Sequence, residues 1–392
     1  MGRWGVPALG FGTFAIGTCE FVLAGVLPQM STSLGVSMAA AGQVVTTFAV
    51  TCAIAAPVLA TVTARWPRRR VLLIAALVYV LGVAATAMAD SFTAVLLTQL
   101  VAAAATGVYI PTSAVTAAAL VPEHRRGWAI AVVTTGLTAA AALGAPLGTA
   151  LGGLFGWRIT MWFLAALAGV GTAGLLVLVP DRVPGSAVDG LRARLAPLRN
   201  RTALVLLATT LVGFTAVYIP YTYISVVFAG ATGGDGVLLS VLMFVLGTLG
   251  AVGNFGAGAL ADRLGGRKVV TGALGMLAIC LFALPLGSGS FLSALALVAA
   301  YGMTAFAITT PQQHRLISLM PDSASILVSL NAGFLYLAIS LSGVLGAASI
   351  QWLGGSWLSV LAALLAMCAL ALSEWAARLT SCTHPQSAQV SL

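Results

Sequence analysis

The stretch Gly258-Ala-Leu-Ala-Asp-Arg-Leu-Gly-Gly-Arg-Lys268 separates two long apolar runs of this chain. A related stretch, Ala64-Arg-Trp-Pro-Arg-Arg-Arg-Val71, follows an earlier apolar run and aligns with Asp262-Arg-Leu-Gly-Gly-Arg-Lys-Val269. Internal repeats, with a binding site where they meet, are typical of several transporter folds. The repeated stretch therefore predicts a chain built from two related halves.

The composition places both halves in a membrane. Of the 392 residues, 60% are hydrophobic and 7% are charged, and the mean hydropathy is +1.06. A soluble domain carries about 25% charged residues. At about 20 apolar residues for each crossing, the pattern predicts an all-α membrane protein with twelve transmembrane helices in two pseudo-symmetric six-helix bundles.

A polar segment with five arginines and two aspartates divides the apolar runs into two sets of six. We predict an N-terminal bundle over residues 1–180, a cytoplasmic linker over 181–201 and a C-terminal bundle over 202–378. The polar tail over 379–392 is expected to be disordered.

The loop charges predict the orientation of the chain. Seventeen of the 18 lysines and arginines fall on one side of the predicted bundle, and the opposite side holds Asp90, Asp235 and Arg158. The positive-inside rule then places both termini in the cytoplasm. Because the bases are confined to short loops, the net charge of +9 does not indicate nucleic-acid binding. The five cysteines show no metal or disulfide spacing.

Glu20 is the one charged residue that the sequence places deep inside a span, within Ile16-Gly-Thr-Cys-Glu-Phe21. A helix that starts near Pro7 puts Glu20 about 20 Å along its axis, close to the middle of the bilayer. A charged carboxylate there costs roughly 2.5–3.5 kcal/mol, and burial favours its protonated form. We therefore predict that Glu20 binds the coupling proton. The alternative is a structural carboxyl group that stays protonated against a backbone carbonyl.

Polar and aromatic residues in the other spans are candidate substrate contacts. An acid in a mostly apolar and aromatic cavity suits small amphiphilic or weakly cationic molecules. Each candidate could instead serve as an interhelical hydrogen-bonding group or an interfacial aromatic. The candidates are Thr13, Tyr109, Thr112, Tyr218, Tyr221, Asn254, Tyr301, Asn331 and Tyr336.

Small residues recur every four positions along the fifth span, beside Pro146. They share one helix face and allow another backbone to approach closely. We expect the glycine-rich eighth span to be their partner across the two halves; ordinary helix packing is the alternative. The residues are Gly136, Ala140, Gly144, Gly148 and Gly152.

These stretches resemble the major facilitator superfamily. Gly258 to Lys268 resembles its signature loop, and the fifth span resembles the antiporter motif of its drug:proton exchangers. The sugar-efflux and chloramphenicol-resistance branch is the most similar in the order and spacing of several short motifs. These motifs are Gly17-Thr-Cys-Glu-Phe21 with Leu27-Pro28, Trp66-Pro-Arg-Arg-Arg70, Gly156-Trp-Arg158, Thr222-Tyr-Ile224 and Gly253-Asn254.

The resemblance implies roles for the two loops and shows one departure. Asp262 and Arg263 would pair with charges and helix ends on the cytoplasmic side and stabilise one conformation, whereas the first copy has Ala64 in place of the acid. Drug exchangers commonly carry an arginine in the fourth span, eight residues before a glycine; this chain has Gln99 before Gly107. The residues of the predicted conformational loops are Arg65, Arg69, Arg70, Asp262, Arg263, Arg267 and Lys268.

By this resemblance we expect a proton-coupled transporter that exports chloramphenicol-like antibiotics by alternating access. It would act as a monomer in the bacterial plasma membrane, with a small-molecule substrate, protons and the lipid bilayer as its partners and no cofactor. A proton-coupled sugar or metabolite efflux carrier is the alternative. A membrane-embedded enzyme is disfavoured because the three histidines, His124, His314 and His384, fall in predicted loops or the tail. A receptor or channel is disfavoured by the duplicated halves.

Overall fold

The computed structural model describes residues 4–63, 65–180, 196–287 and 289–383, with the backbone alone at 325 and 380–383. Most of the predicted linker, most of the predicted tail, Arg3 and Ala64 lie outside the described residues. We call residues 4–180 the N-half and residues 196–383 the C-half.

Among the described residues, twelve helices are long and apolar enough to cross a membrane, and no strand occurs. The predicted all-α fold with twelve spans is confirmed. In chain order, the spans are α1 Gly5–Leu34, α2 Met38–Val62, α3 Arg68–Ala87, α4 Phe92–Ala119, α5 Glu123–Phe155, α6 Trp157–Leu178, α7 Arg201–Thr222, α8 Gly236–Leu264, α9 Gly266–Gly287, α10 Phe291–Leu319, α11 Ala324–Trp352 and α12 Leu358–Thr383.

Three of the spans depart from a regular α-helix where the sequence requires it. In α5 a π-helical turn, Ala140–Gly144, precedes Pro146, whose ring nitrogen cannot donate to the preceding turn. The helix α10 is interrupted between Phe306 and Thr309, just before Pro311. The helix α7 ends at Thr222, two residues after Pro220, and short helices follow it.

Within each half, the first helix lies at the centre. In the N-half, α1 packs against α4, α5 and α6; in the C-half, α7 packs against α11 and α12. The outer helices expose apolar side chains such as Leu81, Val177 and Leu286, as expected for a surface that faces lipid. The two halves meet mainly where α2 packs against α11 and α5 packs against α8.

The contact between the halves is concentrated at one end of the bundle. We call it the arginine-poor end, because its turns carry Asp90, Asp235 and Arg158; the arginine-rich end carries the loops around Arg68 and Arg267. The segments of α5 that pack against α8 are Ala140–Gly144 and Ala145–Phe155, which belong to the middle and the arginine-poor end. The remaining segment of α5 packs mainly against α1 and α4 of its own half. A cleft between the halves therefore opens toward the arginine-rich end.

The expected pairing of α5 with α8 across the halves is present, and Gly247 of α8 lies against Ala141, but the glycine row of α5 faces other helices. A Cβ atom at Gly136 would press on the backbone of Gly10, and one at Gly144 on Thr18, both in α1. Gly148 and Gly152 likewise face α1 and α6, within the N-half. A row of small residues shows that a close neighbour exists, but its period does not say which helix that neighbour is.

Candidate functional site

The centre of the cleft holds Glu20 of α1 opposite Tyr336 of α11. The Tyr336 hydroxyl donates a hydrogen bond to Glu20 Oε2 at 3.3 Å, and this bond joins the two halves. Both side chains are only half-buried, so they border the cleft and are not sealed inside a helix contact. The carboxyl group predicted to bind a proton thus lies where the halves meet.

Aromatic side chains form one wall beside this pair. Tyr218 and Tyr221 of α7 pack edge-on, with ring centres 5.6 Å apart, and both interact electrostatically with Glu20. Phe21 of α1 packs edge-on against Tyr221 at 6.4 Å, and Phe214 lies 6.4 Å from Tyr218. We call these four rings the aromatic row. All four are at most 5% exposed, so they form a packed apolar cluster next to one acid.

Gln99, the residue that replaces an expected arginine, does not bond to Glu20. It is fully buried, its amide nitrogen donates to Thr86 Oγ1 at 3.2 Å, and its amide oxygen lies 3.9 Å from the Cys19 thiol. Cys19 precedes Glu20 in the sequence but points into the interior of the N-half. The departure at this position therefore leaves Glu20 without a cation from α4.

At the arginine-poor side of the site, the halves are sealed by close contacts between neutral groups. Tyr223, just after α7, is fully buried, and its hydroxyl donates to the Gly343 carbonyl at 2.8 Å. A Cβ atom at Gly42 of α2 would overlap the Tyr223 ring, as would one at Gly346 of α11. Only glycine leaves room for this ring between the halves.

The seal continues along α5 and α8. A Cβ atom at Gly153 would lie 2.8 Å from the Cα atom of Gly236, so the two backbones touch. Nearer the site, Thr149 Oγ1 lies 3.2 Å from the sulfur of Met243, which is 1% exposed. These contacts keep the site apart from the arginine-poor end.

Outside the seal lies a surface cavity of about 550 Å³, lined by the ends of α1, α5, α6 and α8. Arg158 borders it; its guanidinium stacks 4.5 Å above the Trp157 ring and donates to the Ala89 carbonyl at 2.8 Å. Trp157 Nε1 donates to Ser33 Oγ at 2.6 Å. These contacts hold the α5–α6 turn against the end of α1.

The remaining N-half candidates do not border the Glu20–Tyr336 pair. Thr13 is fully buried and shares a hydrogen bond with Ser113 at 3.0 Å. The Tyr109 ring is 1% exposed and its hydroxyl packs against Gly12. Thr112 is half-buried on α4, one residue from Ser113. The contacts of Thr13 and Tyr109 therefore indicate a role in joining α1 to α4.

Three C-half candidates also bond to neighbouring helices. Asn254 Oδ1 accepts from the backbone N–H of Thr310 at 3.3 Å and from its hydroxyl at 2.8 Å, beside the interruption of α10. Asn331 Oδ1 accepts from Thr210 at 2.8 Å, and the Tyr301 hydroxyl donates to the Val217 carbonyl. Of the nine candidate contacts, the structure brings Tyr218, Tyr221 and Tyr336 to Glu20.

The predicted loop residues lie at the arginine-rich end. Asp262, Arg263 and Lys268 are exposed, as are Arg65 and Arg70. In this conformation Arg267 forms an ion pair with Glu374 of α12 at 2.6 Å, and Arg69 donates to the Leu176 carbonyl at 2.5 Å. The first contact lies within the C-half and the second within the N-half, so neither joins the two halves.

Sequence reasoning missed Phe21, Phe214, Cys52 and Tyr223. The spacing of Phe214, Tyr218 and Tyr221 by four and three residues was the available signal, because it places the rings on one helix face. Cys52 of α2 also interacts electrostatically with Glu20, although its thiol bonds to the Ala103 carbonyl at 3.3 Å. Tyr223 lies within the motif Thr222-Tyr-Ile224, to which the sequence analysis assigned no role.

The chain is similar to known membrane transporters. The family profile described as Major Facilitator Superfamily matches residues 9–332. The chain is 31% identical over 373 residues to the inner membrane transport protein YdhP of Escherichia coli (strain K12), covering 95% of each chain. It is 35% identical over 253 residues to the chloramphenicol resistance protein of Streptomyces lividans, covering 64% of each. Its fold is similar to that of a bacterial homologue of the human lysosomal transporter Spinster, with a TM-score of 0.76 and 15% identity over 96% of this chain and 97% of that one.

Proposed function

Because this chain belongs to the Major Facilitator Superfamily, whose members are secondary transporters and not enzymes, we propose that it exports small amphiphilic compounds in exchange for protons. The observation that carries this proposal is the position of Glu20, an acid that borders the cleft between the halves and bonds to the opposite half. Ionisable groups inside membrane spans commonly serve ion pathways or proton transfer.

We assign the arginine-rich end to the cytoplasm by the positive-inside rule, and the protein to the inner membrane, as the name of the YdhP relative suggests. The cleft then opens inward in this structure, and both termini are cytoplasmic. Impermeant maleimide applied to intact cells should label a cysteine at Asp235 and leave one at Arg199 unlabelled. The reverse pattern would overturn the orientation.

Exchange follows from competition for one site. An ionised Glu20 attracts a weakly cationic substrate or leaves the site polar for an amphiphilic one, whereas protonation neutralises the cleft. A neutral site costs less to close off from water than a charged one. Proton and substrate then cross in opposite directions as the halves rock around the site.

The wall of the site supports amphiphilic substrates over sugars. The aromatic row places apolar rings beside Glu20, whereas the amide oxygens of Asn254 and Asn331 accept hydrogen bonds from their own half. A sugar site would require several amide or acid groups directed into the cleft. The chloramphenicol resistance protein among the relatives makes that antibiotic the first compound to test.

The test replaces Glu20 with glutamine, which keeps the size of the side chain and removes its titratable proton. We expect Glu20→Gln to insert normally, to lose substrate-driven proton release from purified protein, and to lose chloramphenicol export against a gradient from proteoliposomes. Downhill exchange of a neutral compound should survive, because it needs the conformational change but no proton. Glu123→Gln is the matched control, since Glu123 is exposed and pairs with Arg126 at the start of α5.

Continued proton release and uphill export by Glu20→Gln would contradict the proposed role of Glu20. Export of a sugar panel, with no export of chloramphenicol by the unaltered protein, would favour the carrier alternative and leave the proton site standing.

A further inference from the structure

Tyr336 contacts Glu20 from the opposite half of the molecule, and its role is not explained by substrate contact. Glu20 lies on α1 of the N-half, and the phenol that bonds to it at 3.3 Å comes from α11 of the C-half, 316 residues later in the chain. A hydrogen bond at this place exists only while the two helices remain close at the centre of the bundle.

The other titratable groups near Glu20 bond elsewhere or present their rings. From α7, the Tyr221 hydroxyl donates to the Phe21 carbonyl at 3.1 Å, and Tyr218 interacts with Glu20 through space. From α2, the Cys52 thiol donates to a carbonyl, and on α1 the Cys19 thiol points toward Gln99. Tyr336 is therefore the neighbour that directs a hydrogen-bond donor at the carboxylate.

The nature of this donor matters because Gln99 supplies no charge. A cation beside Glu20 would hold the carboxylate whatever the position of the C-half. A neutral phenol holds the carboxylate less strongly than a cation would. Its hydrogen bond is about twice as strong when Glu20 is ionised as when both groups are neutral. The contact between the halves is thus strengthened when Glu20 is ionised and weakened when a proton neutralises it.

We propose that Tyr336 is a positioning residue, and that the protonation state of Glu20 determines through it how firmly α11 of the C-half is held against α1 of the N-half. This inference rests on the proposed function of Glu20 as the proton site. With Glu20 ionised, the Tyr336 bond holds α11 to α1 in the conformation seen here. When Glu20 takes up a proton, the bond weakens and the halves separate more readily at the centre. Tyr336 does not itself exchange the proton.

The proposal predicts opposite effects for two changes at Tyr336. Tyr336→Phe removes the donor, so the ionised carboxylate loses stabilisation and Glu20 keeps its proton to a higher pH. Incorporation of 3-fluorotyrosine at position 336 keeps the ring nearly the same size and makes the phenol a stronger donor, while the phenol stays protonated near neutral pH. Glu20 should then release its proton at a lower pH. We expect shifts of roughly half to one pH unit in each direction.

The readout is the infrared band of protonated carboxyl groups, followed against pH in the purified full-length protein without substrate. The component that disappears in Glu20→Gln is assigned to Glu20. Tyr109→Phe is the control, because it removes a buried phenol hydroxyl of α4 that packs against Gly12 and not against Glu20. Its titration midpoint should equal that of the unaltered protein.

Each outcome separates the two proposals. An unchanged midpoint in both Tyr336 variants, with a band assignable to Glu20, overturns the role of Tyr336 and leaves Glu20 as the proton site. If the Glu20→Gln spectrum matches that of the unaltered protein at every pH, Glu20 does not titrate, and both proposals are wrong. If Tyr336→Phe fails to fold, the fluorinated protein alone decides, because its midpoint must fall.

Discussion

The two ends of the contact between the halves are built from different chemistry. At the arginine-poor end, the seal consists of neutral groups: the Tyr223 ring against Gly42, and the backbones of Gly153 and Gly236 in contact. At the arginine-rich end, Asp262 and its neighbours are exposed, and the ion pair of Arg267 lies within the C-half.

The difference indicates how each end would open and close. Close packing depends steeply on distance, because even one added methyl group forces neighbouring atoms apart. Exposed charges act over longer distances but contribute little each, since water and salt screen them. Substitutions at the neutral seal should therefore have larger effects than substitutions in the charged loops.

The largest effect is expected from Gly153→Val. Its added side chain would meet the Gly236 backbone, which cannot move aside as a flexible side chain can. Overpacking of this kind costs about 1–3 kcal/mol, so we expect export to fall at least about fivefold with the arginine-poor end held open. The measurement is export from proteoliposomes, together with alkylation of a cysteine that replaces Met243 beneath the seal.

Two glycines provide controls for Gly153→Val. Gly169→Val, on α6, adds a side chain into open space and should leave export unchanged. Gly148→Val would crowd Val22 and Thr160 of the N-half, so it should lower the melting temperature without exposing the cysteine at Met243. Equal alkylation of the cysteine in Gly148→Val and Gly153→Val would show that closure of the arginine-poor end does not depend specifically on the contact between Gly153 and Gly236.

An intermediate effect is expected from Tyr223→Phe. The ring stays between the halves, but the bond to the Gly343 carbonyl is lost. A hydrogen bond of this type contributes about 0.5–1.5 kcal/mol, so alkylation of the cysteine at Met243 should rise roughly two- to tenfold. Ser290→Ala, which removes a hydroxyl near the start of α10, is the control. If alkylation of the cysteine at Met243 is unchanged in Tyr223→Phe, the seal depends on the packing of the ring and not on its hydrogen bond.

The smallest effect is expected from Asp262→Asn. Asp262 is exposed in this inward-open conformation, so its charge would act only after the arginine-rich end closes. Loss of an exposed charge pair costs about 0.2–1 kcal/mol, and alkylation of the cysteine at Met243 should fall by no more than about fivefold. Asp322→Asn, at the same end, serves as the control. A change in the alkylation of this cysteine larger than the change in Gly153→Val would reverse the ranking of the two ends.

The sequence by itself determined the twelve spans, the internal repeat and the depth of Glu20. These features are local: the length of an apolar run sets a crossing, and the rise of a helix sets how far along it a residue lies. The interruptions near Pro146 and Pro311 were not predicted, and Pro28, Pro57 and Pro111 lie within unbroken helices, so a proline alone does not decide where a helix breaks.

Only the tertiary structure decided which helix faces each side chain. The glycine row of α5 was equally compatible with α1 and with α8, because small residues permit any close neighbour. Asn254 and Tyr336 are both polar groups in apolar spans, yet one bonds to α10 of its own half and the other reaches Glu20 across the cleft. Such partners depend on how six helices pack against six others, and a contact between residues 316 positions apart leaves no trace in local spacing.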